Sequence, residues 1–396
     1  MSIVKMSDLN LKNKRVLIRE DLNVPMKNGK ITSDIRIKSV LPTIQQALDA
    51  GAKVMLLSHL GRPDEGSFDE QYSLKPIAER LSTLLQMEVP LIQNWINGFS
   101  MNNHSLVLLE NVRFNVGEKA NSPELCKKMA NLCDVFIMDA FATAHRSEAS
   151  TCGIISYAAE AAAGPLLIAE LDALTKIMHE PKHPIVAIVG GSKVSTKLQL
   201  LDALSQKVDN LIVGGGIANT FIAAEGYTVG KSLYEPDLID EAERLTQNAK
   251  NRGADIPIPT DVIVADKLSD DAESSVRLVS QVDDHEKILD MGPDTIKKMI
   301  AIIKKAKTIL WNGPVGAFEV EQFSKGTEAI AKAIVESKGY CIAGGGDTLA
   351  AIEKYQLAAK IGYISTGGGA FLSFLEGKDL PAILALEANS NRNLHE

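Results

Sequence analysis

Along the first half of the chain, short continuous apolar runs alternate with stretches in which apolar residues recur every three or four positions. Arg15–Arg19, residues 53–59, Leu106–Leu109 and Val135–Met138 read as strands. Helical spacing predicts a helix over residues 34–50, capped by Ser33 and ended at Gly51. A second is expected from Ser73 through Leu85, and a third, opened by Ser122-Pro123-Glu124, runs to Leu132. Strands separated by helices of this length pair in parallel through right-handed crossovers. The second half repeats the theme, with apolar runs at 185–189, 211–213, 262–265, 287–290, 308–311, 341–343 and 362–365. The expected fold is therefore α/β, with two doubly wound, Rossmann-like parallel sheets and ligand loops at the strand C-termini.

Between the halves, residues 158–184 open alanine-rich. They carry Leu166, Ile168, Leu171, Leu174, Ile177 and Met178 at helical spacing and stop at Pro181 and Pro184. This predicts a stiff connecting helix, with Pro165 in its first turn. The expected division is a first domain over 1–163, a connector and hinge over 164–184, a second domain over 185–378, and a closing segment, 379–396, too short to fold alone. The halves differ in chemistry. Seven of the eleven arginines precede the connector, and nearly all the glycine runs follow it.

A length of 396 residues agrees with two domains, and 45% hydrophobic with 23% charged residues is an ordinary globular balance. The net charge of -8 argues against a nucleic-acid or anionic-membrane binder, while leaving room for local anion sites. Cys126, Cys133, Cys152 and Cys341 form no C-x-x-C pair and no zinc spacing, so reduced, buried thiols of a cytoplasmic protein are expected. The polar start and the lack of a membrane-length apolar run point the same way.

In the first half the chemistry sits at strand ends. Arg15–Arg19 runs into Asp21-Leu22-Asn23, a polar pair suited to hydroxyl groups and equally to an Asx turn. The next strand ends in His59-Leu60-Gly61-Arg62, the third in Arg113 and the fourth in Arg146, while Arg36 lies just inside the first helix. One arginine at a strand end is usually a solvated rim residue. Arg36, Arg62, Arg113 and Arg146 gathered on one sheet edge would make a pocket for a small polyanion.

In the second half, Gly190-Gly191-Ser192-Lys193 and Lys197 resemble a phosphate loop without the G-x-x-x-x-G-K-[ST] pattern. Gly214-Gly215-Gly216, Gly344-Gly345-Gly346-Asp347-Thr348 and Gly367-Gly368-Gly369 each lie between an apolar strand and a helical stretch. None continues as G-x-G-x-x-G, which weakens a dehydrogenase reading. Glycines at several strand-to-helix junctions, with two lysines and the carboxylate of Asp347, favour a nucleotide with magnesium. Asn312 and Glu319 sit at another strand end, where they can touch base, ribose or phosphate.

Taken together, these motifs resemble the phosphoglycerate kinase family. RxDxNVP, SHLGRP, ENVRF, DAFxTAHR, GGSKVSTK, WNGPxGxFE, GGGDT and STGGGA follow in that family's order from Arg19 to Ala370. The resemblance implies a 3-phosphoglycerate site at Asp21, Asn23, Arg36, His59, Arg62, Arg113 and Arg146. It implies ATP or ADP contacts at Lys197, Asn312, Glu319, Gly345, Gly346, Asp347 and Thr348, with Asp347 beside Mg²⁺. Lys193 and the helix start at Gly367, Gly368 and Gly369 would lie near the transferring phosphoryl group, with Arg36, Lys193 and Lys197 as the catalytic cations. It also implies a monomer whose closing segment docks on the first domain and whose domains close by hinge bending. Glu20, Ala142, Ser147, Glu148 and Phe371 depart from the family's usual residues at sites where no ligand contact is expected. The alternatives are an unrelated small-molecule kinase, a dehydrogenase on a doubly wound fold, and a non-catalytic sensor binding both ligands without turnover.

Overall fold

The computed structural model describes residues 3–178 and 181–393. The chain divides into two compact units, Met1–Asp172 with Asp379–Glu396, and Ala173–Lys378.

The first unit runs β1 (Arg15–Arg19), a hairpin of β2 (Met26–Lys27) and β3 (Lys30–Ile31), α1 (Ile35–Asp49), β4 (Lys53–Leu57) and α2 (Lys75–Leu85). It continues through β5 (Leu91–Ile92), β6 (Leu106–Leu109), α3 (Pro123–Ala130), β7 (Val135–Met138), β8 (Glu160–Ala163) and α4 (Pro165–Met178). Its six-stranded sheet has the order β5-β6-β4-β1-β7-β8 and is parallel throughout. Every residue of β6 and β7 is buried, as are the last four of β1 and β4. Helices cover such a sheet on both faces, which is why its strands appear as continuous apolar runs rather than alternating ones. Val16, Ile18, Val54 and Leu56 pack with Ile37, Val40 and Ile44 of α1 and with Ile77 and Leu81 of α2. Each fully buried aliphatic side chain contributes about 1.5–3 kcal/mol.

Two expectations are corrected here. Asp34, not Ser33, stands at the N-cap of α1, and its carboxylate is drawn away to Arg80 of α2 at 2.6 Å and to Lys38 at 3.0 Å. The connecting helix is shorter than its alanine-rich start suggests. Residues 160–163 form β8 on β7, and the Gly164 amide donates to the Met138 carbonyl, extending that ladder. Gly164 precedes a proline, which disfavours helical backbone there, so α4 begins at Pro165.

The second unit contains β9 (Ile185–Gly191), α5 (Leu198–Ser205), β10 (Asn210–Gly214), α6 (Gly215–Ala224), α7 (Ile239–Asn251), β11 (Asp261–Ala265), β12 (Ser275–Leu278) and β13 (Lys287–Met291). After these come α8 (Pro293–Lys305), β14 (Thr308–Asn312), α9 (Lys325–Glu336), β15 (Tyr340–Gly344), α10 (Gly346–Lys354), β16 (Tyr363–Ser365) and α11 (Gly369–Leu375). Its main sheet, β10-β9-β14-β15-β16, is parallel. The expected strands at 262–265 and 287–290 do not join it. They form a separate antiparallel sheet, β12-β11-β13. The connections on either side of β12 carry no helix long enough for a parallel crossover, so adjacent strands reverse direction.

The division between the units falls inside α4. The closing helix α12 (Pro381–Asn393) belongs to the first unit. The Ala382 amide donates to the Ala144 carbonyl, the Val4 amide donates to Ser390 Oγ, and Asn389 Nδ2 donates to the Ile155 carbonyl.

Candidate active site

The C-terminal ends of β1, β4, β6 and β7 lie side by side and gather their loops on one edge of the first sheet. Arg36, in the first turn of α1, donates from Nη1 to Asp21 Oδ2 at 2.7 Å and to the Asn23 carbonyl at 3.0 Å. Asn23 Oδ1 in turn accepts from the Gly61 amide at 2.9 Å, and the Gly61 carbonyl accepts from Arg113 Nη1 at 2.7 Å. Gly61 thus links the β1 loop to the β6 loop, at a φ of +59° that favours glycine.

His59 is 2% exposed, and its Nδ1 faces Arg19 Nη2 at 3.2 Å. Burial, with Arg19, Arg113, Arg146 and Arg36 around it, holds its pKa well below the ordinary imidazole value. A neutral ring accepting from Arg19 at Nδ1 carries its proton on Nε2, so His59 offers a donor there. Arg19 is fully buried and also donates to Ser150 Oγ and the Glu20 carbonyl. Ser150 donates to Glu118, whose carboxyl burial pushes up to about 7.

Arg113 Nη2 is held by Glu148 Oε1 at 3.0 Å, and Arg146 Nη1 lies 4.0 Å from the same oxygen. Among the described residues, Arg113 Nε and Arg146 Nη1 are buried without a hydrogen-bond partner. Two unsatisfied cationic donors in one site cost stability and would be satisfied by an anion. Arg62 is exposed at the edge of this group.

In the second unit, the chain passes close to itself where β9 and β14 meet. A Cβ on Gly190 would lie 1.7 Å from the Pro314 carbonyl oxygen, so only glycine fits. Lys197 Nζ donates to the Gly190 carbonyl at 2.5 Å and to Asn312 Oδ1 at 2.7 Å. Burial, partly offset by Asp347, pushes its ammonium down to about 8. Asn312 Nδ2 donates to the Gly344 carbonyl, as does Thr348 Oγ1, which also accepts from the Gly313 amide. Asn312, Thr348 and Lys197 therefore tie the ends of β9, β14 and β15 together. Gly345, at a φ of +100°, turns the chain into α10, where Gly346 and Asp347 begin the first turn.

A cavity of about 580 Å³ opens beside these loops, with Gly191, Gly215, Gly216, Glu319 and Asp347 in its lining. Leu233, Leu268, Leu289 and Ala317 give it an apolar wall, and Lys231 adds a cation. Such a mixture of apolar wall and glycine backbone suits a flat heterocycle with a phosphate tail. Lys193 is exposed and, like Gly367, Gly368 and Gly369, lies outside this lining. Gly369 opens α11, which packs on α5, the helix that Lys197 precedes.

Some participants escaped the sequence reading. Arg19 heads the RxDxNVP stretch at the last position of β1, but no role was expected of it. Glu118, Ser150 and the leucines of the cavity wall had no signal.

Two α/β units, one with a guanidinium cluster and one with glycine-headed helices around a cavity, fit the class of small-molecule kinases. A family model described as phosphoglycerate kinase matches residues 6–378. The chain is 55% identical to phosphoglycerate kinase from Coxiella burnetii, over 98% of this chain and 100% of that one, with a TM-score of 0.94. It is 34% identical to phosphoglycerate kinase from Pyrococcus horikoshii OT3, over 98% and 99% of the two chains, with a TM-score of 0.82. The chain belongs to the phosphoglycerate kinase family.

Proposed function

We infer that the protein reversibly transfers a phosphoryl group between ATP and the carboxylate of 3-phosphoglycerate, giving ADP and 1,3-bisphosphoglycerate. The bond from the γ-phosphorus to the bridging oxygen of ADP breaks as a bond to a carboxylate oxygen forms. The carboxylate nucleophile is ionised at neutral pH, so the step needs no general base. Catalysis then rests on in-line positioning and on stabilising charge spread over the phosphoryl oxygens.

The observation that carries this reading is the pair of buried, unpartnered donors, Arg113 Nε and Arg146 Nη1, on the first sheet's edge. With Asp21, Asn23, Arg36, His59 and Arg62 they hold the acid. The nucleotide is held by Lys197, Asn312, Glu319, Gly345, Gly346, Asp347 and Thr348. Arg36, Lys193, Lys197 and the helix start at Gly367–Gly369 are assigned the task of stabilising the charge that develops on the phosphoryl group. Asp347 fits magnesium, being an exposed carboxylate in the first turn of α10 on the lining of the cavity, which also carries Glu319. One carboxylate plus substrate phosphates is how this ion is usually held. When bound with the nucleotide, it neutralises phosphate charge.

Acid and nucleotide on different units must meet for transfer, so closure about the α4 region accompanies catalysis and excludes water from the acyl phosphate. Four buried free thiols support a reducing, cytoplasmic setting, and among the described residues no helix is long and apolar enough to cross a membrane. The family's habit supports a monomer. The test supplies ATP, Mg²⁺ and 3-phosphoglycerate and follows ADP and acyl phosphate. Equal amounts of both, each requiring the acid, are expected. ADP release independent of the acid, or no turnover, would overturn the reading.

A further inference from the structure

Glu148 is a buried carboxylate among guanidinium groups, and the transfer chemistry above gives it no task. Its backbone is fixed, because its carbonyl accepts from the Thr151, Cys152 and Gly153 amides and its own amide donates to Thr151 Oγ1. Its side chain is only partly satisfied. Oε1 takes Arg113 Nη2 at 3.0 Å and lies 4.0 Å from Arg146 Nη1, while Oε2 is buried without a hydrogen-bond partner among the described residues. A buried ion pair with a spare charged oxygen is a poor device for stability, since desolvation offsets most of the attraction. A carboxylate placed there must be explained by what it does to the arginine.

The Arg113 guanidinium has three nitrogens. Nη1 is held by the Gly61 carbonyl and Nη2 by Glu148, which leaves Nε as the unpartnered donor. Two bonds from two different loops fix the plane of the guanidinium before any ligand arrives. Without Glu148, the group would keep one anchor and could rotate about it. Much of the ordering cost would then fall on ligand binding.

We propose that Glu148 is a positioning residue that locks the Arg113 guanidinium for the substrate's anionic group, acting as a hydrogen-bond acceptor at a fixed reach and not as a charge. The proposal rests on the function inferred above. It predicts that Glu148→Ala raises KM for 3-phosphoglycerate about tenfold or more, with kcat changed less than threefold and KM for ATP unchanged. Glu148→Gln keeps an acceptor oxygen at the same reach and should stay within about threefold of wild type. Glu148→Asp keeps the charge but withdraws the acceptor by one methylene, so it should resemble Glu148→Ala.

Steady-state kinetics on the full-length chain, with a melting curve for each variant, decides the matter. The proposal falls if KM for the acid in the alanine variant stays within twofold of wild type, or if KM for ATP rises in parallel. It falls also if the aspartate variant is rescued while the glutamine variant is not, because charge alone would then suffice. Should the alanine variant fail to fold, the aspartate and glutamine pair still decides. Wild-type turnover separates the two levels. Its absence would overturn the inferred function, whereas normal wild-type kinetics with indifferent variants would overturn only the role of Glu148.

Discussion

In the first unit, the groups offered to an anion are side chains. Arg36, Arg113, His59 and Arg19 are cross-linked through Asp21, Asn23, Gly61, Glu148 and Ser150. In the second unit, much of the offer comes from backbone, from glycine-headed helices and closely approaching strands, with Lys197 anchored among carbonyls. The proposed assignment of acid to the first unit and nucleotide to the second gives the contrast a physical cause. A small acid with one phosphate gives the protein little surface, so charged groups must converge on it and must be held apart from one another. A nucleotide brings a large heterocycle and a phosphate chain, and backbone can follow that chain closely only where no Cβ intervenes. Buried cations need a scaffold of acceptors, and that scaffold extends several residues beyond any contact with ligand.

The largest expected effect lies on the side-chain half. Arg36→Ala should reduce kcat by about 10²–10³, the typical cost of losing one preorganised donor to developing charge. Its melting temperature should stay near wild type, because Arg36 is partly exposed and bonded to loop groups. Turnover within a few-fold of wild type would remove Arg36 from the catalytic set.

On the backbone half, Lys197 gives a sharper signature than lost activity. Its pKa in the free protein is about 8, lowered by burial, and an arriving polyphosphate favours the charged form. Nucleotide binding at pH 8.5 should therefore take up a substantial fraction of a proton, and at pH 6.5 almost none. Calorimetry in buffers of different ionisation enthalpy measures this, and Lys197→Met should abolish the uptake. Equal uptake by that variant would assign the proton elsewhere.

A smaller effect tests the scaffold. Glu118 ionises at about 7 in the folded chain and near its ordinary 4.5 when unfolded, because burial opposes its charge. The folded state thus holds the proton more tightly. Its contribution to stability is complete below pH 4.5 and is lost as pH rises towards and through 7. Asp139, pushed up to about 6, and Asp290, pushed up to about 7, act with the same sign, whereas His59, held low, acts with the opposite one. Glu118→Gln should therefore make melting temperature fall less, or rise more, between pH 5 and pH 7.5 than in wild type. Parallel curves for the two proteins would show that Glu118 does not titrate in this window.

The two halves also differ in when they must meet. Small-angle scattering should give a smaller radius of gyration with a non-reactive nucleotide analogue and 3-phosphoglycerate together than with neither. No contraction at saturation would leave α4 a spacer.

The fold was largely readable from the sequence because buried parallel strands leave continuous apolar runs, and β1, β6 and β7 end where those runs end. It was misread where composition and context conflict. Alanines at 161–163 favour a helix in isolation but lie in β8, and β11 and β13 resemble parallel strands until their connections are considered. Arg36, Arg62, Arg113 and Arg146 could be placed on one sheet edge because each follows a strand end, whereas Asp21 and Asn23 joined them only through the family resemblance. Leu233, Leu268 and Leu289 could not, because single apolar residues on distant segments carry no pattern until the fold closes them around one cavity. Glu148 and Glu118 were hidden for another reason: their importance lies in which arginine each one serves.

The contrast between the halves is tested most directly by a crossed titration. Binding of 3-phosphoglycerate and of MgADP is measured separately by calorimetry on wild type, Arg113→Ala and Asp347→Ala. The expected result is that Arg113→Ala weakens the acid at least tenfold and leaves MgADP within twofold, while Asp347→Ala does the reverse. Either substitution weakening both ligands alike, or each weakening the other's ligand, would contradict the assignment of acid to the arginine edge and nucleotide to the glycine loops.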